Sequence, residues 1–202
     1  MSTSTSRPAA TEKPGYHHGD LRRALLDAAA KIVAKQGAPA VTLREVARLA
    51  GVSHNAPYRH FDGLSALLAA VAAEGFVEFG ECLVAAAEAE PDAKRRRNAI
   101  GRAYLRFALD HPRLYLLMFG AELDKTTHPE LRAAADKSFS VLTGTLAKAG
   151  RAGHADAIRA WAFVHGLAHL VLDKQIKAND PAITALLGGE PAARPFRLLG
   201  KM

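Results

Sequence analysis

The sequence predicts an all-helical protein, on three observations. Alanine, the residue with the highest helix propensity, recurs in pairs and triplets along the 202 residues. Aromatic residues, which strands favour, make up only 6% of the chain. Hydrophobic residues make up 49%, which excludes a wholly disordered protein, and many of them recur at helical spacings of three and four.

The N-terminal residues divide into an arm and a first helix. Residues 1–16 are rich in Ser, Thr, Pro and charge and have no periodicity, so they are predicted to be a disordered arm. A helix begins at Asp20 and ends at Gly37, which is suited to a C-cap. Thr42 followed three residues later by Glu45 is a capping box, which predicts the start of a second, shorter helix.

The segment from 42 to 61 fits the helix-turn-helix plan, in which two short helices are joined by a tight turn. Gly51 separates a helix at 42–49 from one at about 53–60. In such a motif the first helix crosses the DNA backbone and the second lies in the major groove. Val52, Ala56 and Phe61 would form the buried face of the second helix. Its other face would carry side chains that can hydrogen-bond to bases or phosphates: Ser53, His54, Asn55, Tyr58 and Arg59.

Longer helices follow toward the C-terminus. The basic helix that ends near Asp110 is amphipathic, and its predicted inward face consists of Ala99, Ala103, Phe107 and Ala108. The final stretch, from Pro181 onward, contains several prolines and glycines and is predicted to be broken and weakly structured. The predicted elements are Ser65 to about Glu88, the basic helix after Pro91, a short apolar segment Leu114–Phe119, and helices at about 130–149 and 154–177.

The stretch from about Gly19 to Ala73 resembles the DNA-binding domain of the TetR-type (tetracycline-repressor-like) transcriptional regulators. The matching residues are Leu21 through Gly37, Thr42–Leu43–Arg44–Glu45–Val46–Ala47, Ala50–Gly51–Val52–Ser53 and Tyr58–Arg59–His60–Phe61. The resemblance implies that Thr42, Tyr58 and His60 contact phosphates. It also places five residues at or near bases: Arg44, Ser53, His54, Asn55 and Pro57.

Two positions depart from that family pattern. The family usually has a small residue where this chain has Asn55, so base recognition is expected to differ here. It often has a lysine near the start of the following helix, where this chain has Leu64, so one expected phosphate contact is missing.

The C-terminal part also resembles TetR-type regulators, in a subgroup named for a Trp-His-Gly signature. The matching residues are Trp161, His165 and Gly166, together with His111–Pro112, Leu114–Tyr115 and Met118–Phe119–Gly120. In the family this region forms dimers and holds an effector. We therefore expect a mostly apolar pocket, lined by Phe107, Tyr115, Met118, Phe119, Trp161 and His165. The alternative is ordinary core packing for Trp161 and a hydrogen-bonded core histidine for His165.

The expected domain organisation follows from these segments. After the arm at 1–16, residues 17–63 form a three-helix, homeodomain-like helix-turn-helix domain that binds DNA. Residues 64–202 form a larger helical domain for effector binding and dimerisation, and the helix at 65–88 links the two.

Composition limits the cellular setting and the chemistry. The net charge of +7 and pI of about 9.8 are compatible with nucleic acid or an acidic membrane surface. The N-terminus lacks the apolar core of a signal peptide, and the apolar runs are too short to span a bilayer, so a soluble cytoplasmic protein with no membrane contact is expected. The single cysteine, Cys82, cannot form an intrachain disulfide and is predicted to lie in the core.

The sequence carries no recognisable catalytic constellation. His165 and His169 have the spacing of two ligands on a helix, but the glutamate of a zincin motif is absent between them. Nucleophile-elbow, Walker and dinucleotide-binding glycine motifs are also missing. We therefore predict no catalytic residues, no metal site and no cofactor.

These observations predict a ligand-responsive transcriptional regulator, most simply a repressor. Its partners would be double-stranded operator DNA, a second copy of the chain, and an unknown small, largely apolar effector. A homodimer would bind a near-palindrome with half-sites about 34–36 Å apart or a multiple of that. The alternatives are a DNA architectural protein without an effector, a small helical enzyme, and a sensor that has lost DNA binding.

Overall fold

The computed structural model describes residues 18–146 and 150–188. Within those ranges it contains eight α-helices and two short 3₁₀ helices, with no strand, so the all-helical prediction is confirmed. The predicted arm at 1–16 lies outside the described residues. The α-helices are α1 (His18–Gln36), α2 (Leu43–Leu49), α3 (Gly63–Glu88), α4 (Ala93–Asp110), α5 (Pro112–Phe119), α6 (Pro129–Leu146), α7 (Gly150–Leu172) and α8 (Pro181–Leu187), and the 3₁₀ helices are Ala38–Ala40 and Pro57–Arg59.

The N-terminal cap of α2 forms as predicted. Thr42 is the N-cap residue, and its Oγ1 accepts the backbone N–H of Glu45 at 3.2 Å. The Glu45 carboxylate accepts two hydrogen bonds from the Arg48 guanidinium, at 2.7 and 2.8 Å, so it faces along the helix rather than back toward Thr42. One half of the capping box is therefore present, and an ion pair replaces the other half.

The predicted α-helix at 53–60 is wrong. The chain turns at Gly51, which has a φ of +70°, and the Ala56 N–H then bonds the Ser53 carbonyl at 3.0 Å, closing a turn. A 3₁₀ helix, Pro57–Arg59, follows. Pro57 has no N–H, so it cannot donate the α-helical bond to the carbonyl of Ser53. The segment therefore keeps the tighter three-residue hydrogen bonding, although its position after α2 is the one predicted.

Helix α3 is the central element of the fold. It is continuous over 26 residues and packs against α1, α4, α5 and α6. Its buried side chains include Leu67, Phe76 and Phe79. At Gly75 the helix α5 comes so close that an added Cβ would lie 2.7 Å from the Sδ of Met118. The helix that begins just after the 3₁₀ helix at Pro57–Arg59 thus also forms much of the C-terminal core.

The inward face of α4 differs from the predicted one. Phe107 and Ala108 are buried as expected, but Ala99 and Ala103 are only half-buried. The other buried positions are Ile100, Tyr104 and Leu105, which the prediction missed. The helix is rotated so that its larger side chains enter the core, because these bury more apolar area than alanine does.

Helix α7 spans Gly150–Leu172 rather than the predicted 154–177. It ends where Lys174 adopts a φ of 61°, and the N–H groups of Gln175 and Ile176 both donate to the Leu170 carbonyl, at 2.8 and 3.0 Å. Left-handed residues of this kind commonly terminate helices.

The prediction of a weakly structured stretch from Pro181 onward is wrong for Pro181–Leu187, which form α8. Asp180 caps this helix by accepting the Ala182 N–H at 2.8 Å. At the other end, the Arg106 guanidinium of α4 donates to the Leu187 carbonyl at 3.1 Å. Arg106, which is distant in sequence, therefore supplies a hydrogen-bond donor to a carbonyl in the last turn of this short helix. Residues 189–202 lie outside the described part of the chain.

Three further features bear on the position of Cys82, on metal binding and on membrane spans. Cys82 is exposed on α3, so the prediction that it lies in the core is wrong. Within residues 18–146 and 150–188, no group of three His, Cys, Asp or Glu side chains has the arrangement of a metal site. Among the described helices, none combines the length and apolar character needed to cross a membrane.

Candidate nucleic-acid interface and tyrosine–histidine cluster

The residues that would contact DNA lie in a segment supported from beneath by apolar side chains. We call residues 53–60 the reading segment. Ala56 and Phe61 are 8% and 5% exposed, and Val52 is half-buried against the same core. The face predicted to be apolar therefore packs onto the N-terminal helices.

The opposite side of the reading segment is open to solvent. Tyr58 is 63% exposed, an unusual position for a large aromatic ring. The other exposed side chains are Ser53, His54, Asn55 and Arg59. All five can hydrogen-bond to a base edge or a phosphate. Their contacts with DNA remain a prediction.

Two of the predicted residues occupy less exposed positions. Pro57 is buried and begins the 3₁₀ helix, so its ring supports the segment instead of facing outward with Ser53 and Asn55. His60 is half-buried at the end of the same 3₁₀ helix.

A cleft of about 400 Å³ lies between α2 and the reading segment. It brings together Thr42, Arg44 and His54, three of the residues predicted to bind DNA. The cleft is also lined by Arg48, which the prediction did not include. The spacing of four between Arg44 and Arg48 places both on one side of α2, and that spacing was the available signal.

The charges at the cleft are arranged to tolerate an anion. Glu45 is the carboxylate that lines the cleft, and its hydrogen bonds from the Arg48 guanidinium lower its pKa. The ion pair offsets the carboxylate charge near the place where a phosphate would approach. The Thr42 hydroxyl accepts the Glu45 N–H, which leaves its proton available to donate to a phosphate oxygen.

A second site lies in the C-terminal half, where α4, α5 and α7 meet. We call Tyr104, Tyr115, Trp161 and His165 the tyrosine–histidine cluster. The hydroxyls of Tyr104 and Tyr115 are 3.0 Å apart, and they lie 2.9 and 2.7 Å from the Nδ1 of His165. The Trp161 Nε1–H donates to the Tyr104 hydroxyl oxygen at 3.3 Å.

The protonation states of this cluster follow from its burial. Burial raises the pKa of Tyr104 to about 12 and raises the pKa of Tyr115 as well, so both phenols keep their protons. Burial, together with the nearby charges of His169 and Lys125, lowers the pKa of His165. The imidazole is therefore neutral at pH 7, and its Nδ1 can accept a phenol proton, most directly from Tyr115.

The predicted pocket residues divide into two groups. The first group lies at the cluster and consists of Tyr115, Trp161, His165 and Phe119. The ring centroid of Phe119 is 5.0 Å from that of His165. Phe107 and Met118 lie deeper: Phe107 contacts Phe79 at 5.1 Å, and Met118 packs onto α3.

The structure adds two residues that the sequence analysis missed. Tyr104 is fully buried and contacts every other member of the cluster. Its position three residues before Phe107, on the same helix, was the signal for it. Lys125 places its ammonium over the rings of Phe76 and Phe119, 5.1 and 5.7 Å from their centroids. Lys125 lies in an irregular loop, where no periodic signal exists.

Helix α7 leaves large apolar side chains exposed, and two of them, Phe163 and Leu170, share one face of the helix. On α7, Ile158, Phe163 and Leu170 are 45%, 63% and 44% exposed. The rest of α7 packs against α4 and α6. A single copy of the chain thus leaves three large apolar side chains of one helix in water.

Comparison with known proteins matches both the N-terminal and the C-terminal part of the chain to domains of one protein family. The bacterial regulatory proteins of the tetR family match residues 25–71, and the tetracyclin repressor-like C-terminal domain matches residues 98–187. Together these two matches cover more than half of the chain.

Individual proteins agree with this result. A Rhodococcus sp. RHA1 protein of unknown function is 34% identical, with a TM-score of 0.74, and the match covers 88% of this chain and 94% of that one. The uncharacterized HTH-type transcriptional regulator YobS of Bacillus subtilis is 24% identical over 173 residues, 83% of this chain and 87% of YobS. The structure of FadR from Bacillus subtilis in complex with stearoyl-CoA shares the fold, with a TM-score of 0.64 at 14% identity, over 86% of this chain and 99% of FadR.

Proposed function

Because the chain belongs to the TetR family of bacterial transcriptional regulators, we propose that it controls transcription by binding operator DNA as a homodimer and releasing it when a small molecule binds. It is a DNA-binding transcriptional regulator and not an enzyme. Within our proposal, residues 17–63 bind DNA, residues 64–202 bind effector and partner copy, and the protein acts in the cytoplasm.

The exposed side of the reading segment supports the DNA-binding roles of individual residues. Arg44 and His54 line one cleft, and Ser53 and Asn55 are exposed beside it. These four are our candidates for base contacts. Thr42, Tyr58 and His60 are our candidates for phosphate contacts, and buried Pro57 holds the segment in shape.

The apolar face of α7 supports dimerisation with a second copy of the same chain. A near-palindromic operator requires two reading segments related by a two-fold axis. Phe163 and Leu170 are exposed at one heptad spacing on α7, and a symmetric partner would cover both at once. Phe163→Glu is expected to give monomers by light scattering, whereas Lys35→Glu, an exposed position on α1 in the N-terminal half, should leave the dimer intact.

The tyrosine–histidine cluster supports an effector site. It offers rings for an apolar ligand body and a few polar groups for orientation, the usual composition of a small-molecule site. Phe119, Trp161 and His165 are half-buried, so a ligand reaches them more readily than Phe107 or Met118. Trp161, His165 and Gly166 are also the basis for assigning the chain to the Trp-His-Gly subgroup. FadR, with its bound stearoyl-CoA, is a protein of this fold that holds a ligand with an apolar acyl chain.

A DNA architectural protein without an effector is the main alternative. It would need the exposed reading segment but not the polar groups of the cluster. A small-molecule screen for shifts in melting temperature separates the two proposals, because a ligand that binds only the native state raises that temperature.

The first experiment is selection of bound DNA from a random pool with the full chain at a fixed salt concentration. We expect an enriched near-palindrome. On that sequence, Asn55→Ala should relax the preference at one base position, since a base contact contributes about 1–3 kcal/mol. Tyr58→Phe should instead weaken binding to all sequences alike. Cys82→Ser, an exposed change far from the cleft, is the matched control. Wild-type binding by both test variants would refute the assignment of the reading segment.

A further inference from the structure

We propose that Ser65 and His128 are positioning residues for the reading segment, and that the turn at 124–128 ties this segment to the tyrosine–histidine cluster. The inference rests on the proposed function, because it names the contact through which the C-terminal half would control DNA binding. Neither residue touches the cleft itself.

The first observation is a hydrogen bond between the start of α3 and the residue that precedes α6. The Ser65 Oγ lies 3.0 Å from the His128 Nε2. Ser65 is in the first turn of α3, immediately beyond the reading segment. His128 directly precedes α6, which belongs to the C-terminal half. The bond therefore holds the first turn of α3, which directly follows the DNA-binding domain, to the start of α6.

A second contact joins the same two regions. Glu130, in the first turn of α6, lies 3.8 Å from the Arg22 guanidinium of α1. Arg22 in turn lies over the ring of Phe61, 5.2 Å from its centroid. Both charged side chains are well exposed, so this ion pair contributes little by itself. The ion pair nonetheless acts at the same junction as the hydrogen bond, because Phe61 and Ser65 flank the point where the reading segment is followed by α3.

The turn that carries His128 is held by its own hydrogen bonds. The Asp124 carboxylate accepts the N–H of Thr126 at 2.8 Å and its hydroxyl at 2.7 Å. The Thr127 hydroxyl donates to the Asp124 carbonyl at 2.8 Å. His128 is thus attached to a rigid turn instead of a loose loop.

The same turn reaches the tyrosine–histidine cluster. Lys125 extends over Phe119, whose ring packs against His165. One short turn therefore contacts Phe119, a neighbour of the cluster, through Lys125, and contacts Ser65, just beyond the reading segment, through His128. Any effector that displaces Phe119 or Lys125 moves the turn, and the turn transmits that displacement to Ser65.

Hydrogen exchange of the free, full-length protein tests the positioning role without any DNA. The probes are the amides of Ala56, His60 and Phe61, which are hydrogen-bonded within or next to the reading segment. His128→Ala and Ser65→Ala should each speed their exchange about two- to tenfold, as expected for losing one hydrogen bond. The double variant should match the single ones, and His128→Gln, which can still bond Ser65, should restore slow exchange.

Two further variants sharpen the test. Asp124→Ala leaves His128 in place but removes the bonds that stiffen the turn, so it should reproduce the His128→Ala effect. Arg132→Ala is the control, because its ion pair with Asp136 stays within α6. The proposal fails if the two single variants exchange like wild type, or if their effects add in the double variant. Because this readout needs no operator, it can fail or succeed independently of DNA selection.

Discussion

The reading segment and the tyrosine–histidine cluster use the same kinds of side chain in opposite ways. Tyr58 and His54 of the reading segment are exposed. Tyr115 is fully buried, and its hydroxyl bonds the half-buried His165 at 2.7 Å. A polar group in water can exchange its partner for DNA at little cost, whereas a buried one must keep a partner. The polar groups of the reading segment are therefore free to meet DNA as they stand, whereas a ligand at the cluster must replace partners that the polar groups there already have.

The largest effect should come from the core beneath the cluster. Phe79 is 1% exposed and contacts the rings of Tyr104, Phe107 and Phe119. Phe79→Ala should lower the free energy of unfolding by about 3–5 kcal/mol, because a cavity replaces the ring. Tyr58→Ala should change it by less than about 0.5 kcal/mol. Urea unfolding of both variants measures this contrast, and equal losses would contradict it.

A smaller loss should follow from removing one buried hydroxyl. Tyr115→Phe deletes the group that lies 2.7 Å from the His165 Nδ1 and should lower the free energy of unfolding by about 1–2 kcal/mol. Tyr58→Phe makes the same chemical change at an exposed site and should leave stability unaltered. Thermal unfolding compares the pair directly. Equal melting temperatures for the wild type and Tyr115→Phe would mean that the buried bond contributes nothing.

Thr42 combines an N-cap that stabilises α2 with a proposed contact to DNA. Thr42→Ala removes the N-cap of α2 and should cost about 1 kcal/mol of unfolding free energy, as well as weakening DNA binding. Thr42→Ser keeps a hydroxyl and should preserve both. Chemical unfolding combined with a gel shift at constant salt distinguishes the two roles. Full DNA affinity in Thr42→Ala would remove this residue from the interface.

The smallest effect should be a dependence on pH. Burial holds the pKa of His165 below its ordinary value, with His169 and Lys125 acting in the same direction. As the pH falls below about 6.5, the unfolded chain binds a proton at this position before the folded one does. Stability from His165 is therefore complete above that pH and is lost as the pH decreases through the folded pKa. His165→Gln should flatten the decline measured by urea unfolding between about pH 7.5 and 5.5; an unchanged slope would contradict the assignment.

Much of the DNA-binding half could be predicted from sequence because its signals are local. The Thr42 cap, the glycine at position 51 and the apolar spacing of Val52, Ala56 and Phe61 all act within a few residues. They predicted where the reading segment lies and which side of it is exposed. They did not predict its 3₁₀ geometry. The missing N–H of Pro57 changes the backbone hydrogen bonds but leaves the spacing of the apolar side chains unchanged, so the spacing carries no sign of it.

The sequence by itself determined that the chain is helical, where most helices lie, and that a polar surface follows Gly51, because propensity, capping and periodicity depend on neighbouring residues. Only the tertiary structure decided which side chains meet across the fold. Tyr104 and His165 are separated by 61 positions and Ser65 and His128 by 63, and no spacing rule relates them. Their contacts depend on how α3 packs on α6 and how α4 packs on α7, and packing is set by the combined fit of many side chains.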